Sequence, residues 1–395
     1  MRLLVVLLLG VVGLSASTSQ TSRLNAPLPH DAYIWQRKWT PAVIAAAERS
    51  TDLVRAWRVL LAEADRSGRW TRVAVPWDAL RATGRPITAV IRIDGRLDEV
   101  RMPAIIEQIA TTLGGLPSMP AGLEIDYDCP TSKLAIYGGF LANLRVRLPP
   151  PLRLSITALP TWMNGIGLDR LAAPLDELVL QVHAVDDPRR GLFDPAQAEA
   201  WVRAFARRVD RPFRVALPAY DVRVTWQRDG ALASVEGEMP LLTGPAPGQT
   251  LRAAPEAVLA LLRAMRRAAP ANLAGIAWFR LPTEADRRAW SPATWRAVVT
   301  DRLPVPQISA ALVPADTPDL WTVTLANEGA VDAAVPRRVR LDVTCAMADG
   351  ANGFRLAAGT PLALEGTGGR LRAHESRIIG WARCTEPKRQ LDVAS

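Results

Sequence analysis

Short apolar runs rich in β-branched residues alternate with amphipathic or alanine-rich segments from Tyr33 to the helix that begins at Pro292. The runs are apolar on both faces, which is typical of strands that are buried on both sides. Eight such strand–helix units fit within the roughly 250 residues typical of a closed eight-stranded barrel. No glycine-rich phosphate loop follows an early run, which disfavours an open nucleotide-binding sheet. We therefore expect an α/β fold, a (β/α)8 TIM barrel.

The individual elements follow from the same pattern, with one ambiguity. Strands are expected at 33–36, 87–93, within 122–130, and at 152–158, 178–183, 213–217 and 275–279. Helices are expected at 41–48, 103–113, 131–147, 195–208, 255–268 and from 292. The second strand is either the alternating run 57–61 or, if that run is helical, residues 72–75. Between Asp221 and Thr250 a polar, glycine-rich excursion predicts a small hairpin over the barrel mouth.

The character of the chain changes near Pro304. Helical periodicity ends there, and alternating apolar positions such as Trp321, Val323 and Leu325 appear between turn residues. This pattern predicts a small β-sandwich-like domain at 304–395, after a barrel at 23–303. We interpret it as a packing or stability module, with a separate glycan-binding domain as the alternative.

Residues 1–22 have the layout of a secretory signal. Arg2 precedes an apolar run from Leu3 to Leu14, and small residues follow the run. The run is shorter than the roughly 20 residues that a membrane-spanning helix needs. We expect export to the periplasm or the cell exterior and no transmembrane span in the mature chain. An uncleaved N-terminal anchor is the alternative.

Three cysteines in an exported chain allow one disulfide and leave one thiol. Cys345 and Cys384 lie in the same C-terminal region and are the natural pair. Cys129 is expected to be a small buried filler rather than a nucleophile.

Charge and histidine content narrow the possible partners. The formal net charge is +9 and the pI is near 10.2, but the basic residues are spread over the whole chain. No basic stripe is interleaved with aromatic residues, so we expect no nucleic-acid partner. The three histidines, His30, His183 and His374, are far apart in the sequence, and we expect no metal site and no cofactor. Nothing in the pattern predicts an oligomeric state.

Three acids stand two residues apart in the fourth predicted strand. Alternate residues of a strand share a face, so Glu124, Asp126 and Asp128 are expected to point the same way. Burying carboxylates without partners is costly, so this face must meet a polar site. Asp128, the outermost, is the candidate general acid, and a neighbouring Asp126 carboxylate raises its pKa. Glu124 is expected to be structural support.

A purely structural interpretation of the acids remains open. In it, Glu124 and Asp126 form buried ion pairs with barrel arginines such as Arg92 or Arg280, and no catalysis follows.

Further candidates come from the carboxyl ends of the other strands, where barrel enzymes place their reactive groups. Aromatic rings that can stack on a sugar and polar groups that can bind its hydroxyls converge there, which predicts a carbohydrate partner. Taken singly, the aromatic residues and His183 could equally be packing residues. The candidates are Trp35, Arg37, Trp39, Thr157, Trp162, Gln181, His183, Tyr220, Trp278 and Arg280.

The motif GLEIDYDCP resembles the fourth-strand signature of family 18 glycoside hydrolases, the chitinase-like barrels. The resemblance implies that Glu124 and Asp126 match the two supporting aspartates and Asp128 the catalytic glutamate. It also implies that Trp278 floors the sugar site and that the substrate's own N-acetyl group is the nucleophile. Cys129 replaces the usual aromatic residue, and the tyrosine and aspartate of the sixth strand are absent.

Over its whole length the chain resembles an exported bacterial family known as a domain of unknown function. The motifs that carry this resemblance are YIWQRKW, IDYD, LPTW, LPAY and WFRLP. The resemblance implies a glycosidase-like barrel. The resulting hypothesis is an exported glycoside hydrolase-like protein that acts on a polysaccharide or glycoconjugate by acid catalysis. The alternative is a non-catalytic barrel that binds envelope glycan or has a structural role in the cell envelope.

Overall fold

Eight parallel strands close into a barrel in the computed structural model, which describes residues 28–95, 97–98, 101–183, 191–227, 232–236 and 248–394. The order around the barrel follows the chain, and the first strand pairs with both the second and the last. The barrel strands are β1 (His30–Ile34), β2 (Ala56–Ala64), β4 (Ile87–Ile93), β5 (Gly122–Tyr127), β6 (Arg153–Ala158), β7 (Glu177–Gln181), β8 (Phe213–Pro218) and β12 (Leu273–Phe279). The predicted (β/α)8 barrel is confirmed.

Helices lie between the strands and cover the outside of the barrel. They are α1 (Pro41–Arg49), α2 (Trp77–Ala82), α3 (Met102–Gly114), α4 (Leu134–Arg147), α5 (Leu168–Ala172), α6 (Pro195–Arg208), α7 (Pro255–Arg267) and α8 (Pro292–Val299). Short 3₁₀ turns at Thr131–Lys133 and Pro160–Asn164 precede α4 and α5. At the start of α6 the Asp194 carboxylate accepts from two backbone N–H groups, which explains why the sequence marks this helix so clearly.

The ambiguity at the second strand is resolved in favour of the alternating run. Residues Ala56–Ala64 form β2, whereas Trp70–Arg72 form only a short strand, β3, that runs antiparallel to it. The first strand lies earlier than expected. It ends at Ile34, so Trp35 and Gln36 follow the strand instead of belonging to it.

The excursion after β8 contains three antiparallel strands instead of a simple hairpin. They are β9 (Asp221–Trp226), β10 (Leu232–Glu236) and β11 (Gly248–Arg252), with β9 in the centre. Residues 228–231 and 237–247 of the predicted hairpin, and the predicted signal at 1–22, lie outside the described residues.

The C-terminal region forms an antiparallel β domain with its own apolar core. Its strands are β13 (Ile308–Pro314), β14 (Leu320–Asn327), β15 (Ala333–Ala334), β16 (Arg338–Arg340), β17 (Cys345–Gly350), β18 (Phe354–Leu356), β19 (Ala363–Gly366), β20 (Arg370–Leu371), β21 (Ser376–Cys384) and β22 (Gln390–Ala394). A disulfide joins Cys345 and Cys384 across β17 and β21. Within the described ranges, no helix is both long and apolar enough to cross a membrane.

Side-chain alternation along β5 separates the two faces of the barrel wall. Leu123, Ile125 and Tyr127 pack in the apolar layer between the strands and the helices. Glu124 and Asp126 lie on the other face and are buried inside the barrel. The acidic strand therefore brings its carboxylates into the interior, as the spacing predicts.

Arg58 is the cation that three buried acids share inside the barrel. Its guanidinium donates to Asp31 at 3.1 Å and also to Glu124 and Glu177, and all four side chains are almost fully buried. Arg214 adds a second cation, 3.2 Å from Asp31 and 3.1 Å from Glu177. Burial would raise the pKa of Glu177, but the two guanidinium groups outweigh it and hold that pKa below its usual value.

The substitution Arg58→Met should destabilise the fold strongly, because it leaves three buried carboxylates without their shared cation. We expect the free energy of unfolding to fall by about 3–5 kcal/mol, measured by urea denaturation. The exposed Arg55→Met is the matched control and should change it by less than about 0.5 kcal/mol. A loss below about 1 kcal/mol for Arg58→Met would show that the network is not a major source of stability.

Candidate functional site

Two carboxylates and one guanidinium meet at the carboxyl end of β5. Asp126 is 3% exposed and accepts hydrogen bonds from the Thr157 hydroxyl at 2.7 Å and from Arg92 at 2.6 Å. Asp128 follows the strand and its side chain is 50% exposed. It accepts from the other terminal nitrogen of Arg92 at 2.8 Å. One arginine therefore bridges a buried acid and an accessible one.

The surroundings of Asp128 favour its protonated form. Burial raises the pKa of Asp128 above its ordinary value, Arg92 opposes the change, and the nearby Asp126 carboxylate adds to it. Asp126 in turn is the main reason that the pKa of Arg92 is raised, so the guanidinium stays charged. Asp128 can therefore hold a proton at a higher pH than a free aspartate does.

The structural interpretation of the acids is correct in part. Arg92 does pair with Asp126, and Glu124 pairs with Arg58 inside the barrel. Arg280, the other arginine considered, pairs with Asp286 in the loop after β12.

An aromatic cluster lies at the same end of the barrel. Phe279 is its centre: the Trp35 ring lies 5.1 Å from it edge-on, the Tyr220 ring 5.3 Å, and the His183 ring stacks on it at 5.8 Å. The Arg280 guanidinium lies 5.9 Å from the Tyr220 ring centroid. These groups form a largely buried aromatic wall with a cation beside it, and Phe279 is its partly exposed member.

His183 is held as a neutral ring within this cluster. Its Nδ1 lies 3.2 Å from the Ala216 carbonyl oxygen, and burial lowers its pKa to about 4. Tyr220 is also buried, which raises the pKa of its hydroxyl. Both side chains are uncharged near neutral pH.

Much of the barrel matches a known family model. Residues 83–284 match the model described as Domain of unknown function (DUF3142). The chain belongs to this family. A second model, Domain of unknown function (DUF8456), matches residues 310–385 in the β domain. Arg92, Asp126, Asp128 and Arg280 all lie within the segment that the DUF3142 model matches.

Solved structures share the barrel of this DUF3142 chain. The Bacillus cereus spore cortex-lytic enzyme SleL superposes with a TM-score of 0.52 at 12% identity, covering 71% of this chain and 75% of that one. A chitinase from Chromobacterium violaceum ATCC 12472 gives 0.50 at 16% identity, covering 70% and 98%. No curated protein sequence matches the chain significantly. At these identities the likeness shows the fold alone.

Two tryptophans predicted at the mouth of the DUF3142 barrel lie elsewhere. Trp278 is fully buried between the barrel and the helices, against Trp290 and Trp295, and its Nε1 donates to His30 at 2.9 Å. The prediction that it floors a sugar site is therefore wrong. Phe279, the next residue, lies on the inward face with Ala277.

Trp162 is likewise fully buried outside the barrel interior. Its Nε1 donates to the Cys129 carbonyl at 2.8 Å and its ring packs on Tyr137. Its ring packs against the segment after β5 from the outside of the barrel. It therefore cannot contact a ligand in the mouth.

The remaining candidates lie at the rim. Arg37 is half-exposed and pairs with Glu63 at 2.7 Å. Trp39 is partly buried and packs against the aromatic cluster. Gln181 is partly exposed at the end of β7 and follows Val179 on the inward face. These three side chains border the mouth of the barrel.

The described residues give no support to a catalytic Cys129 or to a metal site. Burial raises the pKa of the Cys129 thiol to about 12, so it is protonated at neutral pH. No cluster of three or more histidine, cysteine or acidic side chains in the described ranges is arranged to hold a metal ion.

The buried histidines should make the protein less stable in mild acid. The pKa of His183 and of His30 falls to about 4 on folding, from 6.5 in the open chain. The unfolded chain therefore binds more protons between these values, so the free energy of unfolding falls as the pH drops from about 6.5 towards 4. Each histidine contributes up to about 3 kcal/mol to this fall.

His183→Gln should flatten this dependence, measured as urea denaturation at stepped pH. His374→Gln, at an exposed position of the β domain, is the matched control and should keep the wild-type slope. Identical slopes in all three proteins would contradict a neutral, buried His183.

Proposed function

We propose that this protein is an exported glycoside hydrolase-like enzyme that acts on a polysaccharide or glycoconjugate by acid catalysis. The observation that carries the proposal is Asp128 itself. It is an accessible carboxyl at the carboxyl end of a barrel strand, with a raised pKa and a buried acid beside it on the same face.

In this proposal the groups around Asp128 have separate roles. Asp128 gives its proton to the glycosidic oxygen as the bond to the leaving sugar breaks. Arg92 then stabilises the carboxylate that remains, because it already donates to Asp128 at 2.8 Å. Asp126, fixed by Thr157 and Arg92, supplies the negative charge that keeps the proton on Asp128 until it is needed.

The substrate class is inferred from the aromatic wall at the same end of the barrel as the acids. Phe279 offers a partly exposed ring backed by Trp35 and Tyr220, and Gln181 offers an amide at the rim. The fold shared with a chitinase and a spore cortex-lytic enzyme supports amino-sugar glycans as the first substrates to test. The resemblance of the acidic motif to family 18 barrels supports a nucleophile supplied by the substrate's N-acetyl group.

Export is supported by the apolar run near the amino terminus and by the disulfide between Cys345 and Cys384. Together they favour an oxidising compartment outside the cytoplasm, where envelope glycans are accessible.

A second candidate function is a barrel that binds envelope glycan without cleaving it. The observation in its favour is the Arg92 bridge, since one guanidinium contacts both Asp126 and Asp128. A paired carboxylate is a poorer proton donor than a free acid with the same neighbours.

The substitution Asp128→Asn separates the two functions. We expect it to lower hydrolysis of peptidoglycan or chitin oligosaccharides by about 10²–10⁴-fold, measured as release of reducing ends. Glycan binding, measured by calorimetry, should be retained because the amide keeps the shape of the carboxyl. Asp169→Asn, at an exposed position of α5, is the matched control and should hydrolyse at the wild-type rate.

Two results would count against the enzyme. One is hydrolysis by Asp128→Asn at the wild-type rate. The other is wild-type protein that binds these glycans and cleaves none of them, which would favour the binding barrel.

A further inference from the structure

The orientation of Arg280 at the barrel mouth depends on the loop between β12 and α8. Arg280 is 2% exposed, and its Nε donates to the Asp286 carboxylate at 3.1 Å, with a second bond from a terminal nitrogen. Its guanidinium faces the ring of Tyr220 at 5.9 Å. A shift of Asp286 would therefore remove a paired hydrogen-bond contact that helps to fix the cation beside the aromatic wall.

A residue of the β domain holds the backbone of this loop. Arg372 donates one terminal nitrogen to the Glu284 carbonyl at 2.6 Å and the other to the Asp286 carbonyl at 2.5 Å. Its side chain is only 12% exposed. A planar guanidinium fits two carbonyls two residues apart because its donors form a rigid fork.

Neighbouring contacts fix both Arg372 and the loop. Glu375 accepts from the backbone N–H of Arg372 at 3.0 Å and pairs with Arg287 of the loop at 2.8 Å. The other oxygen of Asp286 accepts from the backbone N–H of Arg288 at 2.9 Å. These contacts therefore fix both the backbone of the loop and the Asp286 carboxylate that binds Arg280.

We infer that Arg372 is a positioning residue: by holding the Glu284 and Asp286 carbonyls, it places Asp286 to hold Arg280 against Tyr220 at the barrel mouth. The C-terminal β domain therefore shapes the site in the barrel as well as packing beside it. The inference depends on the proposed function only where catalysis is the measurement.

Other contacts keep the two domains together without Arg372. Arg370 pairs with Asp221 at 2.7 Å. The Asp332 carboxylate accepts from the backbone N–H of Ser291 at 2.8 Å. The loss of Arg372 should therefore release the loop while the domains stay docked.

The test uses the full chain labelled with 3-fluorotyrosine and followed by ¹⁹F NMR. The chain has four tyrosines, so Tyr220→Phe assigns the signal of Tyr220. Arg372→Gln and Asp286→Asn should both shift this signal, since each removes one link between the β domain and Arg280. The exposed Arg355→Gln is the matched control and should shift none of the four signals.

Hydrogen exchange of the same proteins gives a second readout that needs no activity. In Arg372→Gln, amides of residues 281–290 should exchange about tenfold faster or more, while those of β5 and β14 keep their wild-type rates. Wherever hydrolysis is detectable, kcat should fall without loss of the folded protein.

The inference is overturned if Arg372→Gln leaves both the Tyr220 signal and the exchange of 281–290 unchanged. It is also overturned if all four tyrosine signals move and exchange rises throughout the β domain, because Arg372 would then be a general packing residue. A chain that hydrolyses no glycan but shows the Tyr220 shift refutes the proposed function and leaves this inference standing.

Discussion

Arg58 and Arg92 allow one barrel strand to carry acids on its inward face. Buried carboxylates without cations would be strongly unstable, and the inward side of β5 has two of them, Glu124 and Asp126. Arg58 shares its charge among Glu124, Asp31 and Glu177, and Arg92 serves Asp126 and then reaches Asp128. The interior of this barrel therefore contains an ordered ionic network beside a small apolar cluster, and an apolar layer of strands and helices surrounds both.

Depth along β5 gives the three acids different chemistry. Glu124 is fully buried and accepts from the Tyr33 hydroxyl, Ser155 and Arg58, which makes it part of the scaffold. Asp126 is almost as deep but contacts the bridging arginine. Asp128 alone is half-exposed and therefore accessible to solvent. Arg92 lowers the cost of burying Asp126 and opposes the rise in the pKa of Asp128, which couples stability to the chemistry of the site.

The sequence predicts the barrel and the inward acids well, because a period of two persists through an otherwise apolar strand. It does not predict which of Trp278 and Phe279 faces inward. Both are apolar, and the choice is set by the register of β12 against β1 and β8, where Trp278 lies opposite Ala32 and Leu217. Arg92 lies opposite Asp126 in the register of β4 and β5, so that pair could be anticipated. The reach of Arg58 to Glu177 could not, because it crosses the interior between distant strands.

The proposed role of Asp128 requires a carboxyl that holds its proton despite its arginine partner. Carboxyl ¹³C NMR on protein labelled at aspartate, with Asp128→Asn to assign the signal, measures this directly. We expect Asp128 to titrate above the ordinary aspartate value of 3.8. Titration at or below that value would show a carboxylate permanently ionised by Arg92, and would contradict its role as a proton donor.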